Sequence, residues 1–147
     1  CIRDSHRLVS EDYYLSSIKN RYNFLSPIYG VYVMPNGLPL HVDAGRCCTL
    51  NIPLENCIDT ETIVYEPIDS ETEHDSEHVL NKILSPENCK EIYRFTLDRP
   101  TLFNTMLPHE VVTNTGLTRI SISWSVMSDI TFERAVELFN ECEQGLQ

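Results

Sequence analysis

The stretch Thr-Arg-Ile-Ser-Ile-Ser-Trp-Ser-Val-Met at residues 118–127 gives the strongest strand signal in the chain. Side chains of a β-strand point alternately to the two faces of a sheet, so this alternation predicts a strand between two different environments. The sequence therefore predicts a mainly β fold of seven or eight short strands. The other predicted strands lie at residues 27–34, 38–43, 46–54, 61–66, 91–97, 101–105 and 110–113, and a turn is predicted at Pro35-Asn36-Gly37.

A short helix is expected at each end of this β-rich region. Residues 10–20 have apolar side chains at helical spacing behind a Ser10 cap, and residues 132–143 form an amphipathic pattern. Closely spaced strands without intervening helices favour a sandwich or a barrel-like jelly roll over alternating βαβ units. We expect a single domain that spans residues 1–147, with its core over about 28–127.

Composition and charge narrow the classes of function. The chain has 147 residues, 41% of them hydrophobic, which suits a globular domain with a genuine core. Its formal net charge of −11 repels phosphate backbones and anionic lipid, so neither nucleic acid nor a membrane is an expected partner. No apolar run approaches the roughly 18 residues that span a bilayer, and no signal-peptide pattern opens the chain. A start at Cys1 rather than Met predicts a chain trimmed at its N-terminus.

The six cysteines do not form a recognisable disulfide framework. They include no Cys-x-x-Cys pair, and neighbouring Cys47 and Cys48 would point to opposite faces of a strand. Reduced thiols that act as small buried hydrophobic residues are the favoured interpretation, which predicts a cytoplasmic location. One or two disulfides in an oxidising compartment are the alternative.

The most polar run of the chain lies at residues 69–78. It carries five carboxylates and no apolar residue, which predicts a solvated loop or a lid over an active site. His74 and His78 within it are expected to be surface residues. The run is predicted to lead into a short helical piece at residues 79–84.

Three features of the β-rich region carry chemistry. His41-Val42-Asp43 ends a predicted strand, and because residues i and i+2 of a strand face the same way, the imidazole and the carboxylate are expected to converge. His109 lies close to the start of a later strand. Arg119 lies inside the strongest predicted strand, with Ser121 on the same face.

Two imidazoles and one carboxylate suit a divalent transition metal, because imidazole is a borderline donor and the carboxylate offsets the charge of the metal. Three protein ligands leave three octahedral positions for other reactants, as in non-haem Fe(II) oxygenases. Arg119 can anchor a second reactant, since a guanidinium is always charged and binds a carboxylate through two hydrogen bonds. Taken singly, each residue also fits a structural role. The ordered set predicts a metal site at His41, Asp43 and His109.

These residues resemble the motif set of the Fe(II)/2-oxoglutarate-dependent oxygenases, whose core is a double-stranded β-helix (jelly roll). Residues 33–40, Val-Met-Pro-Asn-Gly-Leu-Pro-Leu, are similar to the segment before H-x-D in hydroxylases of the prolyl and aspartyl/asparaginyl type. Residues 46–54, Arg-Cys-Cys-Thr-Leu-Asn-Ile-Pro-Leu, resemble the strand that follows it. The similarity covers about residues 28–127 and is specific for the superfamily but not for a substrate.

The resemblance implies an enzyme with named roles for five residues. His41, Asp43 and His109 would bind Fe(II), while Arg119 would pair with the distal carboxylate of the cosubstrate 2-oxoglutarate and Ser121 would donate a hydrogen bond to it. With O₂ as the other cosubstrate, oxidative decarboxylation to succinate and CO₂ would drive hydroxylation of an unactivated C–H bond.

Strand parity adds further candidates that line the pocket. Thr49 and Asn51 share the face of their strand that by analogy looks into the barrel. Either can contact the cosubstrate, and ordinary internal hydrogen bonding is the alternative. Ser123 continues the inward face of the strongest strand, whereas Trp124 on its other face is expected to be a core residue.

Three classes of function stay open at this point. The leading expectation is a dioxygenase that acts on a small molecule or on an amino-acid side chain, free or in a peptide. The alternatives are a non-catalytic jelly-roll module that binds a metal or ligand, and a cupin-type metalloenzyme with Zn, Mn or Ni and no oxoglutarate. The carboxylate anchor Arg119 favours the first class over the cupin. The substrate, the choice between hydroxylation and desaturation, and the oligomeric state are not predicted.

Overall fold

The alternating stretches fold into two antiparallel sheets, and the structure is mainly β. The computed structural model describes residues 2–8, 13–43, 45–68, 81–83 and 85–145. In chain order, its elements are β1 (Ile2–Leu8), α1 (Tyr13–Arg21), β2 (Leu25–Met34), β3 (Leu38–Asp43), β4 (Cys48–Glu55), β5 (Thr60–Pro67), β6 (Asn81–Ile83), a 3₁₀ turn (Pro86–Asn88), β7 (Cys89–Thr96), β8 (Thr101–Asn104), β9 (His109–Thr113), β10 (Arg119–Val126) and α2 (Phe132–Gln144).

Each sheet contains five of the described strands. The first sheet has the order β1-β2-β10-β4-β8, and the second has the order β6-β3-β9-β5-β7. Side chains from the two sheets contact each other across the space between them, where the ring of Phe95 on β7 lies 5.8 Å from that of Phe103 on β8. We call this the inter-sheet space.

The outer face of the first sheet is covered by the two helices. Ile122, Trp124 and Val126 of β10 belong to a buried apolar cluster that also includes Leu15 of α1 and Ala135 of α2. Trp124 is fully buried and its indole N–H donates to a main-chain carbonyl at 2.7 Å. Because alternate residues of β10 are used for this core, the polar residues between them face the inter-sheet space.

Most predicted elements are confirmed, with ends that move by a few residues. The N-terminal helix, predicted at 10–20, is Tyr13–Arg21, and the expected Ser10 cap lies outside the described residues. The C-terminal helix, predicted at 132–143, is Phe132–Gln144. The strand predicted to begin at residue 46 begins at Cys48, so Arg46 lies in the loop that precedes it.

Two features of the prediction are wrong. The helical piece predicted at 79–84 is a short strand where it is described, because residues 81–83 pair with the edge of β3 and satisfy their backbone groups there. The strand Ile2–Leu8 was not predicted, and it pairs with β2. The described part of the chain therefore has ten strands rather than seven or eight. The acidic run at 69–78 lies outside the described residues.

Within the described part of the chain, no helix is both long and apolar enough to cross a membrane. The five cysteines of the described residues are free thiols, of which Cys48 and Cys57 are buried, and Cys1 lies outside the described residues. Burial raises the pKa of the Cys48 thiol to about 11, so that side chain is protonated near neutral pH.

Candidate metal centre and carboxylate pocket

His41, Asp43 and His109 meet in the inter-sheet space. His41 and Asp43 share one face of β3, and His109, the first residue of β9, lies opposite His41 in the strand register. The ligand atoms that the three side chains offer all lie within 4.8 Å of one another, and the two imidazole rings are 4.3 Å apart. All three side chains are buried. The strand ends thus bring together the three residues that the sequence singled out.

Both imidazoles are oriented by main-chain carbonyl groups. Nδ1 of His41 lies 2.8 Å from the carbonyl oxygen of Pro39, and Nδ1 of His109 lies 2.8 Å from that of Leu107. A carbonyl oxygen only accepts hydrogen bonds, so each Nδ1 carries a proton, and Nε2 is the nitrogen of each ring that can offer a lone pair to a metal. Histidines that bind metals are commonly fixed in this way, with the second nitrogen free for the ion.

Asp43 has one carboxylate oxygen bound and one bare. Arg46 donates to Oδ2 from Nε at 2.8 Å and from Nη2 at 2.7 Å. Oδ1 lies 3.4 Å from Nε2 of His41 and has no hydrogen-bond donor among the described residues. A buried carboxylate oxygen without a partner is energetically unfavourable. A cation next to Oδ1 and Nε2 would satisfy both atoms, so the donor set fits a metal ion.

The protonation states also suit metal binding. Burial lowers the pKa of His109 to about 4, and the neighbouring His41 acts in the same direction. Burial alone would raise the pKa of Asp43, but the nearby imidazole of His41 and the charge of Arg46 outweigh it and hold that pKa below its ordinary value. Near pH 7 His109 is therefore neutral and Asp43 is ionised, as metal ligands must be.

Arg119 is a buried cation on the inner face of β10. It is 3% exposed, and its Nη1 donates to the hydroxyl groups of Thr60 at 3.4 Å and Thr62 at 3.2 Å on β5. None of the ion pairs found among the described residues includes it, and its Nε has no acceptor there. Burial accordingly lowers its pKa. Because a buried guanidinium is unfavourable without an anion, the surroundings of Arg119 suit a bound anion.

The remaining predicted residues lie on the inner face of the first sheet. Ser121 is buried beside Arg119 on β10, and Ser123 lies opposite Asn51 of β4. Thr49 donates to Oδ1 of Asn51 at 3.3 Å, so these two residues make the internal hydrogen bond considered as the alternative. That either contacts a cosubstrate stays a prediction.

Three residues of the site were not predicted from the sequence, namely Arg46, Thr60 and Thr62. Arg46 follows Asp43 across Gly45, whose φ of 77° is favourable for glycine and lets the chain turn back. Gly45 is the feature of the sequence from which this turn, and with it the position of Arg46, could have been predicted. Thr60 and Thr62 are 59 and 57 positions from Arg119 and carry no signal that connects them to it.

A cleft of about 460 Å³ opens beside this centre between β7 and β8. The rings of Tyr93, Phe95 and Phe103 form its apolar wall, and Thr101 and Arg99 are among its polar lining. Phe103 is buried, and its ring lies 4.7 Å from that of His109 in an edge contact. A cleft of a size typical for small ligands is thus separated from one candidate metal ligand by a single ring.

Compared with known proteins, the chain matches no family model, no curated protein and no solved structure. The class of site is therefore argued from its geometry. It combines a buried His-Asp-His cluster that could hold a metal ion with a buried arginine suited to an anion.

Proposed function

We propose that this protein is an Fe(II)- and 2-oxoglutarate-dependent dioxygenase that hydroxylates an unactivated C–H bond of a small molecule or an amino-acid side chain. The observation that carries the proposal is the joint presence, in one inter-sheet space, of the His41, Asp43 and His109 cluster and the buried Arg119 without a carboxylate partner among the described residues. A metal that keeps open positions needs a second reactant, and the arginine provides a place to hold one.

The strand order supports a jelly roll, the double-stranded β-helix of these oxygenases. From β2 onwards and leaving β6 aside, the chain alternates between the two sheets except at the step from β5 to β7. The resulting orders, β2-β10-β4-β8 and β3-β9-β5-β7, pair the first strand with the last and work inwards along the chain. Such a double winding is the connectivity expected of a jelly roll.

The chain's own residues would hold, orient and protect the reactants. His41, Asp43 and His109 would bind Fe(II), which supplies the oxidative chemistry when bound. The guanidinium of Arg119 would bind the distal carboxylate of 2-oxoglutarate, with Ser121 beside it on the same strand face. Burial of all five side chains keeps water away and strengthens each electrostatic contact.

The spacing between the two halves of the site fits a short keto diacid. Thr62, which accepts a hydrogen bond from Arg119, lies two residues from Val64 along β5, and Val64 lies opposite His109. Two residues of a strand span about 7 Å. A short dicarboxylic acid can bridge that distance with one end at the metal ligands and the other at the guanidinium.

The direct test is anaerobic addition of 2-oxoglutarate to the protein loaded with Fe(II). We expect a weak visible absorption from chelation by the keto acid, followed by succinate formation when O₂ is admitted. The variant Asp43→Ala should lose both signals, and Arg94→Gln, which changes a surface ion pair, should keep them.

Other outcomes would identify the alternatives. Metal binding without any oxoglutarate binding would refute the proposal and favour a cupin-type metalloenzyme. Binding of both metal and oxoglutarate without succinate formation, across candidate small molecules and peptides, would favour a non-catalytic binding module.

A further inference from the structure

We propose that Arg46 is a positioning residue that restricts Asp43 to a single metal-binding oxygen and thereby keeps coordination positions open. The inference rests on the metal site of the proposed function, but it does not depend on the identity of the second reactant. Arg46 itself is not a candidate ligand, because a guanidinium is always charged and has no lone pair to offer.

The contact between Arg46 and Asp43 is one-sided. Nε and Nη2 of Arg46 both donate to Oδ2, at 2.8 and 2.7 Å. Oδ1 is left bare, 3.4 Å from Nε2 of His41, which is itself free for a metal. Two charge-assisted hydrogen bonds to one oxygen make that oxygen a poor second ligand, because a metal would have to compete with the guanidinium for it.

The guanidinium is held in place from several directions. It lies over the ring of Tyr32, 5.6 Å from the centroid, and its Nη1 is 3.5 Å from Oγ of Ser123. The carbonyl of Arg46 accepts a hydrogen bond from Oγ1 of Thr105 at 2.7 Å, and the carbonyl of Thr105 accepts one from the N–H of Asp43 at 3.3 Å. The loop that carries the arginine is thus tied to the strand end that carries the aspartate.

The number of coordination positions shows why the restriction matters. In an octahedral site, two imidazoles and one carboxylate oxygen occupy three positions and leave three. A chelating keto acid and O₂ together need three. If Asp43 bound through both oxygens, only two positions would remain and the reactants could not bind together.

A surface ion pair in the same chain serves as a matched comparison. Arg94 contacts Glu91, also three residues away, but its Nε and Nη2 go to different oxygens, at 2.8 and 2.7 Å. Both partners are largely exposed, with side-chain exposures of 47% and 40%, against 21% and 4% for Arg46 and Asp43. Arg94→Gln therefore removes an arginine–carboxylate pair of the same sequence spacing without touching the inter-sheet space.

The test counts the water molecules bound to Mn(II) in the loaded protein without oxoglutarate, by water-proton relaxation. In wild type we expect three exchangeable waters on the ion. In Arg46→Gln we expect two, so the relaxation enhancement per bound Mn(II) should fall by about one third. Mn(II) affinity in this variant should be unchanged or higher, because a nearby positive charge is gone. Arg46→Lys keeps a charged donor to Oδ2 and should restore the wild-type value, and Arg94→Gln should match wild type.

The outcomes separate this inference from the proposed function. A wild-type relaxation enhancement in Arg46→Gln would overturn the positioning role, and so would a lower enhancement in Arg46→Lys. If Arg46→Gln does not fold, the measurement on Arg46→Lys alone decides the question. A wild-type protein that binds Mn(II) with three waters but never binds oxoglutarate would refute only the proposed function. A wild-type protein that does not bind Mn(II) would refute both.

Discussion

Replacing Arg119 with methionine should weaken oxoglutarate binding and, at the same time, stabilise the metal-free protein. The guanidinium is 3% exposed, and its contacts within the described residues include two long hydrogen bonds, to Thr60 and Thr62. Replacing buried charged groups with apolar ones of similar volume often stabilises a protein by about 1–4 kcal/mol, and losing the two hydrogen bonds offsets about 1–2 kcal/mol of this. The difference has a midpoint of about 1 kcal/mol in favour of the variant, which would raise Tm by about 2–4 °C for a chain of this size.

The effect on binding has the opposite sign. Truncating one partner of a buried, hydrogen-bonded charge pair weakens binding by about 2–5 kcal/mol, which is roughly 30-fold to several-thousand-fold in Kd. Calorimetric titration of 2-oxoglutarate into Mn(II)-loaded protein measures this loss. 2-Oxobutyrate serves as the control ligand, because it has the same keto-acid end and no distal carboxylate. Its affinity should be similar in wild type and in Arg119→Met.

Two results would refute this reasoning. Equal weakening of 2-oxoglutarate and 2-oxobutyrate in Arg119→Met would show that the guanidinium does not bind the distal carboxylate. A Tm lowered by more than about 4 °C in the metal-free variant would show that the charge is compensated in the fold. The surface variant Arg94→Met should change neither affinity, since Arg94 lies on exposed β7 and pairs with Glu91 and Glu61.

Three further predictions concern the strands that carry the site. The variant Gly37→Ala should have an unfolding free energy more than about 3 kcal/mol below wild type, because Gly37 has a φ of 74° and an added Cβ would lie 2.1 Å from the carbonyl oxygen of Val111. The control Gly116→Ala, at a φ of 69° but with open space around the added Cβ, should lose only about 1–2 kcal/mol. Both losses are measured by urea unfolding, followed by the fluorescence of the single tryptophan. The unfolding free energy of the metal-free wild type should fall by on the order of 3 kcal/mol between pH 6.5 and pH 4, because the unfolded chain binds a proton at His109 in this range and the folded chain, with that pKa at about 4, does not. The variant His109→Gln should lose less unfolding free energy over the same pH range in urea unfolding. Equal losses in the two proteins would contradict the assignment of this pH dependence to His109. Thr62→Val should weaken oxoglutarate binding about tenfold in calorimetry by removing a neighbour of Arg119, and a matching loss of Mn(II) affinity would indicate general damage instead.

The convergence of His41 and Asp43 could be predicted because it depends only on strand parity. Two side chains at i and i+2 share a face in any strand, so the triplet needed no knowledge of the fold. The opposite placements of Arg119 and Trp124 followed from the same rule, since one residue of that strand had to face the core. His109 could be named as a candidate, but its position opposite His41 depends on the pairing of β3 with β9, which the sequence does not encode locally.

The contacts that complete the site depend on tertiary structure. Thr60 and Thr62 contact Arg119 only because β5 and β10 lie in different sheets that face each other. Arg46 was placed on a strand by its β-tolerant neighbours, whereas Gly45 turns the chain and leaves the arginine in a loop. The three residues of β6 are too few to show a period, and their conformation is set by the edge of β3.

The hydrogen bonds that hold the two imidazoles come from the main chain, at Pro39 and Leu107, and not from side chains. No amino-acid substitution removes a main-chain carbonyl group, so the hydrogen-bond acceptors that orient both imidazole rings do not depend on the side chains around them. Substitutions at neighbouring positions such as Phe103 would change the shape of the adjoining cleft without removing these two carbonyl groups. The orientation of the two imidazoles therefore depends less on side-chain identity than that of Asp43, which the side chain of Arg46 holds.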